Sequence, residues 1–137
     1  MINLFIDTDV IIDLLGDRKE FSIFAGKIFS LSVEKKVILL TSSNSIATTY
    51  YILSQRMKIA NADKLIYSIL QHLEIIPVNK PILEKAFSSK FKDVEDAIQY
   101  FSALDYGKTD YIITRNIPDY KLSAIPVYSS NEILQLI

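Results

Sequence analysis

Residues 2–13 read Ile2-Asn3-Leu4-Phe5-Ile6-Asp7-Thr8-Asp9-Val10-Ile11-Ile12-Asp13, in which an apolar run ends at an acid. Its first five residues are mostly apolar and predict a buried strand, and a short helix is predicted from Val10 to Leu15. Asp7 stands where the strand ends. Because an acid next to a buried strand is costly unless it is paired or liganded, the stretch predicts a functional carboxylate at the carboxyl end of the first strand.

Two more polar clusters follow buried-looking segments further along the chain. Asp93-Val94-Glu95-Asp96 opens the clearest predicted helix, and Thr114-Arg115-Asn116-Ile117-Pro118-Asp119 follows the apolar run Tyr111-Ile112-Ile113. Each cluster lies just past the end of such a segment. Together with Asp7 they predict a single carboxylate site that is assembled from distant parts of the chain.

Composition excludes several classes of protein. The chain has 137 residues and half of them are hydrophobic, so we expect one domain over residues 1–137 with a sizeable core and no membrane span. The absence of cysteine excludes disulfides and thiolate metal sites and fits a cytoplasmic protein, and the single His72 excludes a multi-histidine zinc site. The net charge is −1, so any contact with nucleic acid must depend on local patches or on a bound metal.

The order of elements predicts an α/β fold. Short apolar runs at residues 2–6, 37–40, 73–78, 111–114 and 125–128 predict strands. Helical patterns separate them, at 10–15, from 21, from 43, from 61 or 62, at 81–88 and at 93–106, with a last helix at 131–137. Strands that alternate with helices indicate a parallel sheet covered on both faces.

Parallel sheets bind ligands at the carboxyl ends of their strands, which is where Asp7, Thr114 and Asn116 are expected. Asp96 can join them from the start of its helix. Carboxylates brought together repel, and the usual remedy is a hard cation such as Mg²⁺ or Mn²⁺. Such a cation activates water and neutralises charge on a phosphodiester, so the pattern favours phosphoryl chemistry.

Purely structural interpretations of several acids are also open. Asp93 could be a helix N-cap with Asp96 at the third helical position. Asp119 could have no role other than to close a turn. Asp9 and Asp13 are interpreted as a cap and a solvated helix position.

The three motifs together resemble those of PIN-domain nucleases, the fold of the VapC-type ribonuclease toxins. The similar segments are Phe5–Asp13, Asp93–Tyr100 and Asp110–Tyr120, in the order and spacing of the family. The resemblance implies a three-layer α/β/α sandwich with a short parallel sheet and a Mg²⁺ or Mn²⁺ ion bound by acids. It also implies hydrolysis of RNA by an endoribonuclease, an antitoxin protein as a partner, and the possibility of a homodimer.

The resemblance assigns roles residue by residue. Asp7 resembles the first metal ligand, Asp96 the acid on the late helix, and Thr114 the hydroxyl that supports the site. Asp93, Asn116 and Asp119 would complete the surroundings of the metal through water. At two positions the chain departs from the family pattern: Thr48 stands where many members have a glutamate, and Asn116 where many have an aspartate.

Two other functions remain open. A PIN-like domain that has lost catalysis would serve as a binding module, which the absence of the glutamate favours. The first motif also resembles haloacid-dehalogenase-like phosphatases, in which Asp7 would be the nucleophile and Asp9 its acid/base partner. For a nuclease, Arg115, Lys92 and Arg56 are the candidate phosphate contacts.

Overall fold

The computed structural model describes residues 1–137, and a parallel sheet of five strands forms its centre. The strands are β1 (Ile2–Ile6), β2 (Val37–Ser42), β3 (Leu73–Ile76), β4 (Tyr111–Ile113) and β5 (Val127–Tyr128). Their order in the sheet is β3-β2-β1-β4-β5, and every pairing is parallel. Since β2 and β3 extend the sheet on one side of β1 and β4 and β5 on the other, the strand order reverses beside β1.

Helices connect all of these strands except β4 and β5, which are joined by a short 3₁₀ turn. They are α1 (Thr8–Leu15), α2 (Lys19–Val33), α3 (Ser43–Tyr51), α4 (Ala62–Leu70), α5 (Lys80–Phe87), α6 (Val94–Tyr106) and α7 (Ser130–Leu136). A π-helical segment, Ile52–Arg56, continues α3, and the 3₁₀ turn is Ile117–Tyr120. None of these helices is long and apolar enough to cross a bilayer.

The two faces of the sheet bury separate apolar clusters. Successive side chains of a strand point to opposite faces, so Leu4 and Ile6 pack on one side and Phe5 on the other. The first side is covered by α1, α2, α4 and α7, and the second by α6, against which α5 packs. This arrangement confirms the predicted three-layer α/β/α sandwich.

Side chains at the helix starts fix where the helices begin. Ser42 accepts a hydrogen bond from the Ser45 N–H at 3.0 Å at the start of α3, and Asn79 caps α5 in the same way. Asp7 caps α1 by accepting from the Thr8 N–H at 2.7 Å, so α1 begins two residues earlier than the apolar pattern predicts. Asp7, which follows β1, and Ser42, the last residue of β2, therefore fix the starts of the helices that follow those strands.

Several predicted boundaries were wrong at the edge of the sheet. β4 ends at Ile113, and β5 has only two residues because it pairs with the very short β4. The 3₁₀ turn at Ile117–Tyr120 was not predicted; its proline stands in the first turn, where the fixed backbone angle is tolerated. His72 lies in a turn, where its ring packs edge-to-face on Phe29 at 5.5 Å.

Candidate active site

Asp7 is at the centre of the site and is only 4% exposed. Its Oδ1 accepts hydrogen bonds from the Thr8 N–H at 2.7 Å and from Gln99 Nε2 at 3.1 Å. Its Oδ2 accepts from the hydroxyls of Thr114 and Tyr120, each at 2.9 Å. These donors come from α1, α6, the end of β4 and the 3₁₀ turn, so four separate segments fix the orientation of one carboxylate.

Tyr120 is a supporting residue that the sequence did not reveal. Burial, together with the nearby carboxylates of Asp7 and Asp96, raises the pKa of its hydroxyl above the ordinary value. The hydroxyl therefore keeps its proton at neutral pH and donates a hydrogen bond to Asp7. The 3₁₀ turn, which the sequence pattern also missed, is the element that places this ring.

Asp96 lies in the first turn of α6 and is 8% exposed. Burial raises its pKa to about 8, and the neighbouring carboxylates of Asp7, Asp93 and Asp119 act in the same direction. The carboxylates of Asp7, Asp93 and Asp119 therefore lie within electrostatic reach of Asp96. A carboxyl in such a place keeps a proton at neutral pH unless a cation takes the place of that proton.

Asp93 is the N-cap of α6, so its structural interpretation is correct. Its Oδ1 accepts hydrogen bonds from the Glu95 N–H at 2.8 Å and the Asp96 N–H at 3.4 Å. Asp119 is exposed in the 3₁₀ turn, and its carboxyl lies near enough to Asp96 to raise the pKa of that group. Asp93 therefore has a structural role, and both acids contribute negative charge beside Asp96.

The interpretation of Asp9 as a helix cap was wrong, since Asp7 is the cap. Oδ2 of Asp9 accepts from the Arg115 N–H at 3.0 Å and lies 3.3 Å from the Thr114 hydroxyl. Its Oδ1 is buried and has no hydrogen-bond partner. Burial, and then the charge of Asp7, raises the pKa of Asp9 to about 7.

Asp13 is 2% exposed, so its interpretation as a solvated helix residue was also wrong. Arg115 explains why: its Nε lies 2.9 Å from Asp13 Oδ2, and its guanidinium lies over the Phe21 ring at 4.1 Å. Burial raises the pKa of Asp13, and the charge of Arg115 opposes that rise. Arg115 therefore forms an ion pair with Asp13, and its role as a phosphate contact stays a prediction.

Gln99 is a second site residue that sequence reasoning missed. It is 2% exposed, and its amide contacts Ser42, Ser45 and Asp7. Ser45 in turn accepts from the Thr8 hydroxyl at 3.0 Å, so a buried network links α1, α3 and α6. Gln99 could have been found from its position one turn after Asp96, because residues three apart lie on the same face of α6.

Some of these residues line a cleft of about 230 Å³. Its acidic lining consists of Asp7, Asp9, Asp93, Glu95 and Asp96. Asn116 and Gln99 also line it, whereas Thr114 and Asp119 do not. Lys92 and Arg56 are exposed outside the cleft.

The residues of the cleft fit a hard divalent cation. All the charged donors are carboxylate oxygens, and the buried, unpartnered Oδ1 of Asp9 would be satisfied by a cation. No three acids or histidines converge closely enough to hold a metal ion alone.

Comparison with known proteins identifies the family. The family model of the PIN domain matches residues 3–118. The chain is 36% identical to "Ribonuclease VapC1" of Aquifex aeolicus (strain VF5) over 110 residues, which cover 76% of this chain and 75% of the relative.

Solved structures have the same fold. VapBC2 of Rickettsia felis, bound to a DNA fragment from its promoter, matches with a TM-score of 0.69 at 15% identity over 93% of this chain and 98% of that one. VapC20 of Mycobacterium tuberculosis, described as a sarcin–ricin loop cleaving toxin, matches with a TM-score of 0.63 at 17% identity over 80% and 86%.

Proposed function

This chain belongs to the PIN-domain family, and from this we propose that it is a metal-dependent endoribonuclease and the toxin of a toxin–antitoxin pair. The observation that carries the proposal is the convergence of Asp7 and Asp96 on one acidic cleft beside β1, where the strand order of the sheet reverses. The ribonuclease name of the 36% identical relative supports the choice of RNA as substrate.

The residues have distinct roles in this proposal. Asp7 and Asp96 hold the cation, Mg²⁺ or Mn²⁺, and Asp93, Asn116 and Asp119 support it through water. When bound, that cation would lower the pKa of a water molecule and neutralise charge on the phosphodiester. The hydroxyls of Thr114 and Tyr120 hold Asp7 in one orientation.

Partners follow from the same family. The Rickettsia felis structure is that of VapBC2 on promoter DNA, and we propose an antitoxin protein as the partner of this chain. A second copy of the chain is a further proposed partner. A cysteine-free protein that acts on RNA is suited to the cytoplasm, where we propose that it works.

The family model argues against the phosphatase alternative. The model that matches residues 3–118, which include Asp7 and Asp9, is that of the PIN domain. Asp7 is 4% exposed, and four hydrogen bonds hold its carboxylate in one orientation.

Substitution of Asp96 tests the proposed function most cleanly. Purified wild-type protein with Mg²⁺ or Mn²⁺ should cleave a mixture of structured and single-stranded RNAs, and Asp96→Asn should abolish the cleavage because it removes one of the two anionic ligands. Asp105→Asn is the matched control, since Asp105 is an exposed acid on the same helix, α6, outside the cleft. Gel analysis of the RNA products measures the outcome.

Two results would contradict the proposal. Equal cleavage by wild type and Asp96→Asn would show that a contaminating nuclease makes the cuts, and no cleavage with either metal would favour the non-catalytic binding module. Asp7→Asn is a poorer test, because the new NH₂ group would face a hydrogen-bond donor and destabilise the fold.

A further inference from the structure

The charge of the cleft poses a problem for a nuclease. Five acids line it, and RNA is a polyanion, so the substrate is repelled wherever a bound cation does not offset that charge. Arg18 is the single basic residue among the side chains that line the cleft. Any role of Arg18 toward RNA rests on the proposed ribonuclease function.

Arg18 lies at the start of α2, and its side chain is 38% exposed. Its Nη1 is 4.0 Å from Asp13 Oδ1, which is beyond hydrogen-bond distance. Arg115 already neutralises Asp13 from the other side, with Nε at 2.9 Å from Oδ2. The guanidinium of Arg18 therefore lies at the cleft and donates no hydrogen bond to another residue of the protein.

The three cations that the sequence suggested do not occupy this position. Lys92 and Arg56 are exposed outside the cleft, and the guanidinium of Arg56 lies 6.0 Å from the Tyr51 ring. Arg115 is bound to Asp13. Of these four cations, Arg18 is the one whose side chain lines the cleft.

We propose that Arg18 is a substrate-binding residue that contacts a backbone phosphate of the RNA strand in the acidic cleft. A guanidinium has a planar set of donors that matches two phosphate oxygens. Turning Arg18 away from Asp13 gives up only a contact at 4.0 Å, and Asp13 stays paired with Arg115, whose Nε lies 2.9 Å from Oδ2. The contact supplies affinity for the backbone and no preference for base sequence.

Binding measurements with a matched control test the proposal. In an Asp96→Asn background, which prevents cleavage, the affinity for a short random-sequence single-stranded RNA is measured by fluorescence anisotropy in Mg²⁺ over a series of salt concentrations. Adding Arg18→Gln should weaken binding about tenfold and reduce the slope of log affinity against log salt by about 0.7. Lys19→Gln is the control, since Lys19 is the adjacent exposed cation outside the cleft and its loss should change neither quantity.

Arg18→Lys adds a test of geometry. It keeps the charge, so it should keep the salt slope while it loses part of the affinity that the paired donors provide. A lower melting temperature for Arg18→Gln with unchanged affinity and salt slope would overturn the proposal and leave Arg18 as a structural partner of Asp13.

Wild-type cleavage separates the two proposals. If wild type cleaves RNA and Arg18→Gln binds as tightly as its parent, the role of Arg18 is wrong and the nuclease stands. If wild type cleaves no RNA, the nuclease proposal fails and the role of Arg18 fails with it.

Discussion

At the scale of single residues, Asp7 and Asp96 show how two similar carboxyls acquire different properties. Asp7 accepts four hydrogen bonds that fix it in place. Asp96 is buried among other acids, and its pKa rises to about 8. A divalent cation would pair with both, replacing the proton that Asp96 otherwise retains.

Stability should therefore fall as pH rises in the metal-free protein. Unfolded carboxyls ionise near an ordinary pKa of about 4, whereas the pKa values of Asp9 and Asp96 are raised to about 7 and about 8 in the folded state. Between about pH 4 and about pH 8 the folded state binds more protons than the unfolded state, so rising pH destabilises the folded state. We expect the melting temperature, measured in EDTA, to fall more steeply from about pH 4 to about pH 8 in wild type than in Asp96→Asn.

Asp105→Asn is again the control and should keep the wild-type slope, because Asp105 is exposed. Added Mn²⁺ should raise the melting temperature of wild type at pH 8 more than that of Asp96→Asn, since ligand binding stabilises the folded state. Parallel pH profiles for wild type and Asp96→Asn would mean that Asp96 is not buried among acids in solution.

At the scale of elements, α3 is the helix on which Thr48 stands at the position where many family members have a glutamate. Ser45 contacts the Thr8 hydroxyl at 3.0 Å, and Ile52, at the start of the π-helical segment, lines the acidic cleft. Thr48 is half-buried between them, three residues after Ser45 and four before Ile52, and so lies on the same stripe of the helix. A longer side chain at this position would extend toward the cleft.

Thr48→Glu should therefore add a carboxylate to the site. We expect tighter binding of Mn²⁺ by isothermal titration calorimetry, because the new oxygen supplies another hard anionic ligand. Thr48→Gln is the control, with the same length and no charge. If both variants bind Mn²⁺ with the affinity of wild type while remaining folded, the transfer of the family's glutamate to this position is wrong.

At the scale of the whole molecule, one sheet organises every part of the site. Asp7 follows β1 and Thr114 follows β4, and these two strands pair directly. α6 brings Asp96 and Gln99 across the same edge of the sheet. Apolar clusters on both faces share the strands, so disruption of one face removes the support of the other.

We propose from this that residues 1–137 form one cooperative domain. Calorimetric and van't Hoff enthalpies of thermal unfolding should agree, at roughly 95 kcal/mol for a melting temperature near 60 °C. Circular dichroism and tyrosine fluorescence should give the same midpoint. Two separated transitions would contradict the single domain.

Local patterns in the chain were enough to predict a parallel sheet covered by helices on both faces and to single out the acids that we propose for the site. Apolar runs of strand length and helical stripes depend on local periodicity, which is visible in the sequence. Asp7 and Asp96 stand at the ends of such elements, so their convergence follows from the topology of a parallel sheet.

Which polar residues are buried against the site depends instead on tertiary contacts. The burial of Asp9 and Asp13 depends on Arg115, more than one hundred residues away in the chain. The contacts of Gln99 with Asp7 and of Tyr120 with Asp7 span similar distances along the chain. Periodicity reports which face a residue occupies, but it contains no information about the partner that arrives from a distant element. For the same reason the sequence did not show that Arg115 pairs with Asp13. It also did not show that Arg18 is the basic residue that lines the cleft.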